Sequence, residues 1–325
     1  MDDILVSISC ISFNHAKYIR QALDSFLNQK TDFKYEILIH DDASKDETAD
    51  IIREYQLKYP DIILPILQTE NQYSQGKHNI SGIFNFPRAR GKYIAMCEGD
   101  DFWCDENKLQ KQVDYMEQHP NCSMCCHSAK IVQMDDSFRT VNEIHTYRET
   151  RALEPSEVIA KKINFPTASL MFRREYAVKL PDWYFDCPVG DIPLHLVMQM
   201  HGYVYYMDEI MSAYRTGDIN SWSNNMDGDR KHWINHRFSM KKLFEAFDKD
   251  SCGRYSEEVK DALMRNDFLI ALKLDELKVL KDEKYRKYYM ELGKLDRRLL
   301  LLKYYCPFLY NMLRNIRIFM KSRSV

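Results

Sequence analysis

The chain has 325 residues, 45% of them hydrophobic, enough for one large domain or a domain with an extension. Its formal net charge of −2 argues against a general nucleic-acid binder, and no apolar run is long enough to span a bilayer. Nine cysteines without a regular framework read as reduced thiols of a cytoplasmic protein, and the start, Met1-Asp2-Asp3 leading into a strand-like run, is not that of a secretory signal.

Residues 4–12 predict a first strand. Asn14 is a candidate N-cap for a helix to Leu27, with Tyr18, Ala22, Leu23 and Phe26 at helical spacing. Residues 35–40 predict a second strand. Ser44 to Glu47 match a capping box for a helix from Thr48 to Tyr59, ended by Pro60. Asp61 to Gln68 read as a third strand, Asn71 to Asn79 as a polar loop, Ile80 to Ala89 as a helix despite Pro87, and residues 92–97 as a fourth strand. This alternation implies a mostly parallel sheet with helices on both faces. Further on, Lys108 to His119 predict an amphipathic helix, Cys122 to Gln133 and Thr167 to Arg173 strands, Asp191 to Met200 a helix, and Tyr203 to Met207 a last short strand. Cys122, Cys125, Cys126 and His127 belong to the strand reading, because no second Cys or His pair stands at finger spacing. From about residue 228 the pattern is helical and charged.

Two acidic clusters end apolar runs: Asp41-Asp42, and Glu98-Gly-Asp-Asp101. Carboxylates at the carboxyl ends of parallel strands stand where open α/β sheets bind ligands. So many acids together call for a positive partner, such as a divalent cation held by oxygen ligands with a phosphate on its other side.

Taken in order, Val6 to Asn14, Gln21 to Gln29, Glu36 to Ser44, Gly91-Lys-Tyr-Ile-Ala before the second cluster, and Gly190-Asp191 with Leu194 and Gly202 beyond resemble the motifs of family 2 glycosyltransferases. The resemblance covers about the first two thirds of the chain. It implies an α/β fold of the GT-A (Rossmann-like) type over residues 1–227, with a mostly parallel central sheet, and a helical C-terminal extension over residues 228–325. It also implies a metal-dependent, inverting transfer of a hexosyl or N-acetylhexosaminyl group. The donor would be a nucleotide diphosphate sugar, with a UDP-sugar the leading expectation, and the acceptor a saccharide or lipid-linked saccharide. Capsule, O-antigen or exopolysaccharide assembly is the setting such relatives suggest.

Carried over position by position, the resemblance makes Asp42 the contact to the nucleotide base, with Asp41, Ser12 and Asn14 beside it. Asp100 takes the donor ribose and, with Asp101, the Mn2+ or Mg2+ ion. Glu98 stands where many relatives have the first Asp of that motif. Lys77 lies in the polar loop where relatives contact the donor. Arg215, ahead of Ser221-Trp-Ser223, resembles the flexible loop over the diphosphate and would pair with phosphate. Asp191 is the candidate general base that deprotonates the acceptor hydroxyl; its competing role is a helix N-cap. Trp103 is read as a sugar platform or a core residue, and His40 as a core histidine.

From Lys294 to Val325, eight basic residues against one acid, Asp296, interleave with apolar and aromatic side chains. That pattern suits a helix lying on the anionic inner face of a membrane, and equally a packed helix with a solvated face. Three other functions compete, one of them a phosphoacceptor of the response-regulator type, in which the acid pair ends the first strand, whereas here it ends the second. A sugar nucleotidyltransferase needs a glycine-rich phosphate loop after the first strand, and residues 9–20 contain no glycine. A nucleotide-sugar-binding protein without catalysis would share the donor residues and differ only in activity.

Overall fold

A computed structural model describes residues 4–133, 139–160, 165–216 and 230–312. The strands are β1 (Ile4–Ser12), β2 (Lys34–Asp41), β3 (Ile63–Leu67), β4 (Tyr93–Met96), β5 (Phe102–Trp103), β6 (Cys122–Gln133), β7 (Thr140–Ile144), β8 (Arg151–Ala152), β9 (Met171–Arg173) and β10 (Tyr203–Thr216). The α-helices are α1 (Ile19–Leu27), α2 (Thr48–Lys58), α3 (Lys108–Gln118), α4 (Pro155–Ile159), α5 (Asp182–Phe185), α6 (Asp191–His201), α7 (Arg230–Asp250), α8 (Ser256–Lys273), α9 (Arg286–Glu291) and α10 (Lys294–Tyr305).

The sheet runs β3-β2-β1-β4-β9-β6-β10-β5, with β7 on β6 and β8 on β10. The first four strands pair in parallel, as the βα alternation predicts. Period-two side chains explain why both faces are covered. Val6, Ile8, Cys10, Ile37 and Ile39 share a cluster with Ile19, Leu23 and Phe26 of α1. Leu38, Ile94 and Met96 join the opposite cluster with Phe86 and Phe172. Beyond β4 the pattern changes: β9 is antiparallel to β4 and β6, while β6 and β10 are parallel. Gly91 permits the β1–β4 contact, because a Cβ there would lie 2.6 Å from the Ser7 amide nitrogen.

The C-terminal helices α7 and α8 pack on α6. Met240, Phe244, Phe247, Val259 and Ala262 share one cluster with Ile192 and Leu196.

Several local expectations are corrected. Asn14 does not cap α1, which begins at Ile19; it holds a left-handed turn (φ 57°), and its Oδ1 accepts the Lys45 amide at 2.8 Å. The Ser44–Glu47 capping box does not form. The Ser44 hydroxyl donates to Asp41 at 2.5 Å, and the Asp46 carboxylate accepts the Thr48 amide instead. Residues 81–88 are a π segment and a 3-10 turn rather than an α-helix. Their side chains are tied to the sheet: Asn85 donates to the Cys10 and Leu38 carbonyls, and Arg88 to those of Ile39 and Leu64. Thr167–Ser169 form a 3-10 turn, leaving only Met171–Arg173 as strand. The last strand runs to Thr216, past the polar Asp208-Glu209 pair, because register shifts between Met207 and Ser212 absorb those residues. Trp103 is a core residue, its indole N–H donating to the Ala168 carbonyl at 3.0 Å. His40 is fully buried against Phe84, in keeping with the core reading.

Candidate functional site

The carboxyl end of β4 continues beside β1. Cys97 donates its amide to the Ser9 carbonyl, and Gly99 to that of Ile11. This registers the turn Glu98–Asp101 over the end of β1. Gly99 has no spare volume, since a Cβ would lie 2.9–3.1 Å from Ile19, His15 and Ser12. Three carboxylates thereby occupy one short turn.

Their electrostatics follow from that crowding. The Glu98 carboxyl is pushed up to about 8 by burial and then by the charges of Asp100 and Asp191. Asp101 is 1% exposed, and burial, then Asp100 and Glu98, push its carboxyl well above the usual range. The Arg215 backbone N–H, donated to Asp101 Oδ1 at 2.9 Å, opposes that only in part. Asp100 is the more open acid, with His15 Nε2 3.9 Å from its Oδ2.

Arg215 was expected to meet phosphate. It lies buried behind the turn, donating to the Asp100 carbonyl and to Gln21 Oε1, between the rings of Phe102 and Tyr18. In this arrangement it holds the acidic turn in place. The Ser221–Ser223 part of the expected loop lies outside the described residues.

The first acidic pair is committed to hydroxyls and backbone amides of neighbouring segments. Asp41 accepts the Ser12 and Ser44 hydroxyls and the Ser44 amide, fastening the ends of β1 and β2. The Asp42 carboxylate accepts the amides of Gln72 at 2.8 Å and Tyr73 at 3.0 Å, with His40 Nε2 at 3.4 Å. It thus anchors the loop that carries Lys77, whose ammonium donates to Gln72 Oε1 at 2.6 Å. Ser12 and Asn14 sit at the same strand ends, bonded to Asp41 and Lys45.

Asp191 is the first residue of α6. Gly190 takes the N-cap position, and no side chain caps the helix. The carboxylate is therefore not spent on the cap. Asp191 is near enough to Glu98 for its charge to raise that carboxyl, which brings together residues some ninety positions apart.

Two contributors escaped the sequence reading. Asn79 donates to the Tyr184 and Cys187 carbonyls, and its Oδ1 would be 3.0 Å from a Cβ on Gly190; it positions the approach to Asp191. His15 brings its ring nitrogen Nε2 to 3.9 Å from the Asp100 carboxylate. Its only sequence signal was its place just after the turn at Asn14. Phe13 and Tyr73 are exposed rings on the two loops beside Asp42.

Among the described residues no group of three metal-ligating side chains converges into a closed site. The donor set nevertheless fits a hard divalent cation. Carboxylate oxygens on an open turn, too crowded to ionise together without positive charge, match ions held by one or two carboxylates and completed by substrate phosphates. Among the described residues no helix is long and apolar enough to cross a membrane.

An uncharacterised protein of Mycobacterium tuberculosis is 35% identical over 246 residues, covering 74% of this chain and 67% of its own. A putative teichuronic acid biosynthesis glycosyltransferase, TuaG of Bacillus subtilis, is 26% identical over 72% of this chain and 87% of its own. Two solved structures share the fold. S. aureus TarS 1-349 in complex with UDP has a TM-score of 0.54 at 14% identity, covering 92% of this chain and 78% of that one. The mannosyltransferase PcManGT from Pyrobaculum calidifontis, in complex with GDP-Man and Mn2+, has a TM-score of 0.55 at 16% identity, covering 98% and 85%. The fold is thus that of GT-A glycosyltransferases. The model of the family described as "Glycosyl transferase family 2" matches residues 7–180, more than half of the sequence, and the chain belongs to that family.

Proposed function

We propose that the protein is a metal-dependent, inverting glycosyltransferase that moves a sugar from a nucleotide diphosphate donor, foremost a UDP-sugar, to a saccharide acceptor in surface polysaccharide assembly. The observation that carries the reading is the crowding of three carboxylates in one short turn fastened over the end of β1, with Asp191 close enough for its charge to raise Glu98. TarS with UDP and PcManGT with GDP-Man support a nucleotide-linked donor, and TuaG supports the polysaccharide setting.

In this reading Asp191 takes the proton from the acceptor hydroxyl as its oxygen attacks the anomeric carbon. The bond to the nucleoside diphosphate breaks on the opposite face, in one displacement. Asp100 and Asp101 would hold a Mn2+ or Mg2+ ion, which would supply positive charge to offset that of the departing diphosphate. Asp101 offers Oδ2, since Oδ1 accepts the Arg215 amide. Glu98 stands beside them as a further candidate metal ligand, and Arg215 keeps the turn fixed from behind. Asp42 and the 71–78 loop frame the base end of the donor, with Lys77, Ser12, Asn14 and Asp41 around it.

The protein is placed at the cytoplasmic face of the membrane, held by its C-terminal end. What supports this is the exposure of Leu295, Leu301 and Tyr305 on α10, and of Phe308, Leu309 and Met312 after it, among basic residues. Flotation with anionic vesicles checks it: removing residues 300–325 should abolish binding, and unchanged binding refutes the placement.

The function is tested by incubating the protein and Mn2+ with UDP-, GDP- and dTDP-sugars and a saccharide acceptor panel, following nucleotide release and product configuration. Transfer with inverted configuration, lost in Asp191→Asn, is the expected result. Donor binding without turnover on any acceptor would leave a binding protein instead.

A further inference from the structure

His15 stands on the open side of the acidic turn, and no step of the proposed transfer uses it. Its backbone is committed at both ends. The amide donates to Thr48 Oγ1 at 2.8 Å, and the carbonyl accepts the amides of Tyr18 and Ile19 at 2.9 Å each. The link from β1 into α1 therefore fixes where the ring leaves the chain. The ring then lies against Gly99, where a Cβ would come within 3.0 Å of Nδ1. Glycine at this position leaves the imidazole its place beside the turn Glu98–Asp101.

The two ring nitrogens have different surroundings. Nδ1 is buried and has no hydrogen-bond partner. A proton there would be a buried N–H without an acceptor and out of reach of water, so the hydrogen-bond network assigns the proton to Nε2. Nε2 faces the open side, where the His15 and Asp100 side chains are 22% and 29% exposed. Its 3.9 Å to Asp100 Oδ2 is longer than a hydrogen bond. The Nε2 hydrogen is thus a donor held beside Asp100 and not spent on it. Arg215 offers no such donor on this side, since its guanidinium bonds to the Asp100 carbonyl and Gln21 from behind the turn. An acceptor for Nε2 has to arrive with the ligand. Phosphoryl oxygens are the strong acceptors that a nucleoside diphosphate carries to a cation-binding turn.

We propose that His15 is a substrate contact of the donor site, its Nε2–H donating to the diphosphate of the nucleotide sugar beside Asp100. The assignment rests on the nucleotide-donor reading and adds to it a side chain that binds the phosphates without holding the cation.

The test is calorimetry of UDP, GDP and dTDP on the full chain, each with and without Mn2+. The proteins are wild type, His15→Ala, His15→Gln and His15→Phe, with melting curves of the same samples. Ala removes the donor, Gln returns an amide N–H on a side chain of similar reach, and Phe keeps a flat ring on Gly99 without the N–H. With whichever diphosphate wild type binds, the expected result is affinity about tenfold or more lower in His15→Ala and His15→Phe and largely restored in His15→Gln. The gain from Mn2+ stays the same in all four proteins, because Asp100 and Asp101 are intact. If His15→Ala melts early, His15→Phe decides. Affinity equal to wild type in the Ala and Phe variants, no recovery in His15→Gln, or a loss confined to the Mn2+ gain overturns the proposal and leaves the donor site standing. Absence of binding by every diphosphate to wild type overturns the donor-site reading and this contact with it.

Discussion

Asp41 and Asp42 differ by one position and by what they hold. Their place at a strand end was readable from a β-branched run stopped by acids. Their bonds were not, because the partners of Asp42 are amides thirty residues on, in a loop with no periodic signal. Arg215 shows the same limit: its charge suggested a phosphate contact, and its bonds to the Asp100 carbonyl and Gln21 had no signal in the sequence. Asp191 was visible through Gly190 and the helix it opens, but its nearness to Glu98 depends on tertiary structure. At this scale two outcomes are expected. Asp191→Asn should lower transfer by about 10²–10⁴-fold with UDP affinity unchanged, as for loss of a general base; pre-steady-state transfer and UDP calorimetry check it. Asn79→Ala removes two buried hydrogen bonds. It should destabilise the protein by about 1–3 kcal/mol in urea unfolding, and lower kcat more than it weakens donor binding.

Elements were most legible where periodicity and burial agree. β1 to β4, α2, α3 and β6 fall within a few residues of expectation because their apolar residues pack into the core clusters on the faces of the sheet. The segment 80–89 failed because Asn85 and Arg88 bond to sheet carbonyls, which no helical pattern reveals. Gly91 shows why the junction into β4 needs its residue: a Cβ would press on the Ser7 amide and the Val6 carbonyl carbon. Gly91→Ala should cost about 1–3 kcal/mol by the usual penalty for overpacking, seen as a lower urea midpoint with an unchanged m-value.

For the whole molecule, the parallel half of the sheet followed from the βα alternation. The mixed half did not, because β9 inserts between β4 and β6 from a distant part of the chain. The core built there buries Lys108, whose ammonium donates to Gln112 Oε1 at 2.7 Å and lies 4.2 Å from the Trp103 ring. Burial lowers its pKa from 10.5 to about 7. Between those values the unfolded chain binds more protons than the folded one, so this group makes stability rise with pH from about 7 and contributes least below it. The buried thiols Cys97, Cys125 and Cys126, raised by burial, act oppositely once free thiols ionise. The comparison is therefore a difference curve. Lys108→Met should be more stable than wild type at pH 6, with the gap narrowing by a few kcal/mol toward pH 9; the scale is about 1.4 kcal/mol per pH unit. A gap independent of pH would show that Lys108 keeps its charge.

The central claim is that the turn Glu98–Asp101 is the cation-dependent end of a donor site, and calorimetry of UDP binding tests it most directly. Wild type and Asp101→Asn, which preserves shape and the acceptor for the Arg215 amide, would each be titrated with and without Mn2+. The account predicts UDP binding to wild type that strengthens at least tenfold with Mn2+, and loss of that gain in Asp101→Asn with the melting temperature held. UDP binding of equal strength in both proteins, indifferent to Mn2+, would contradict it.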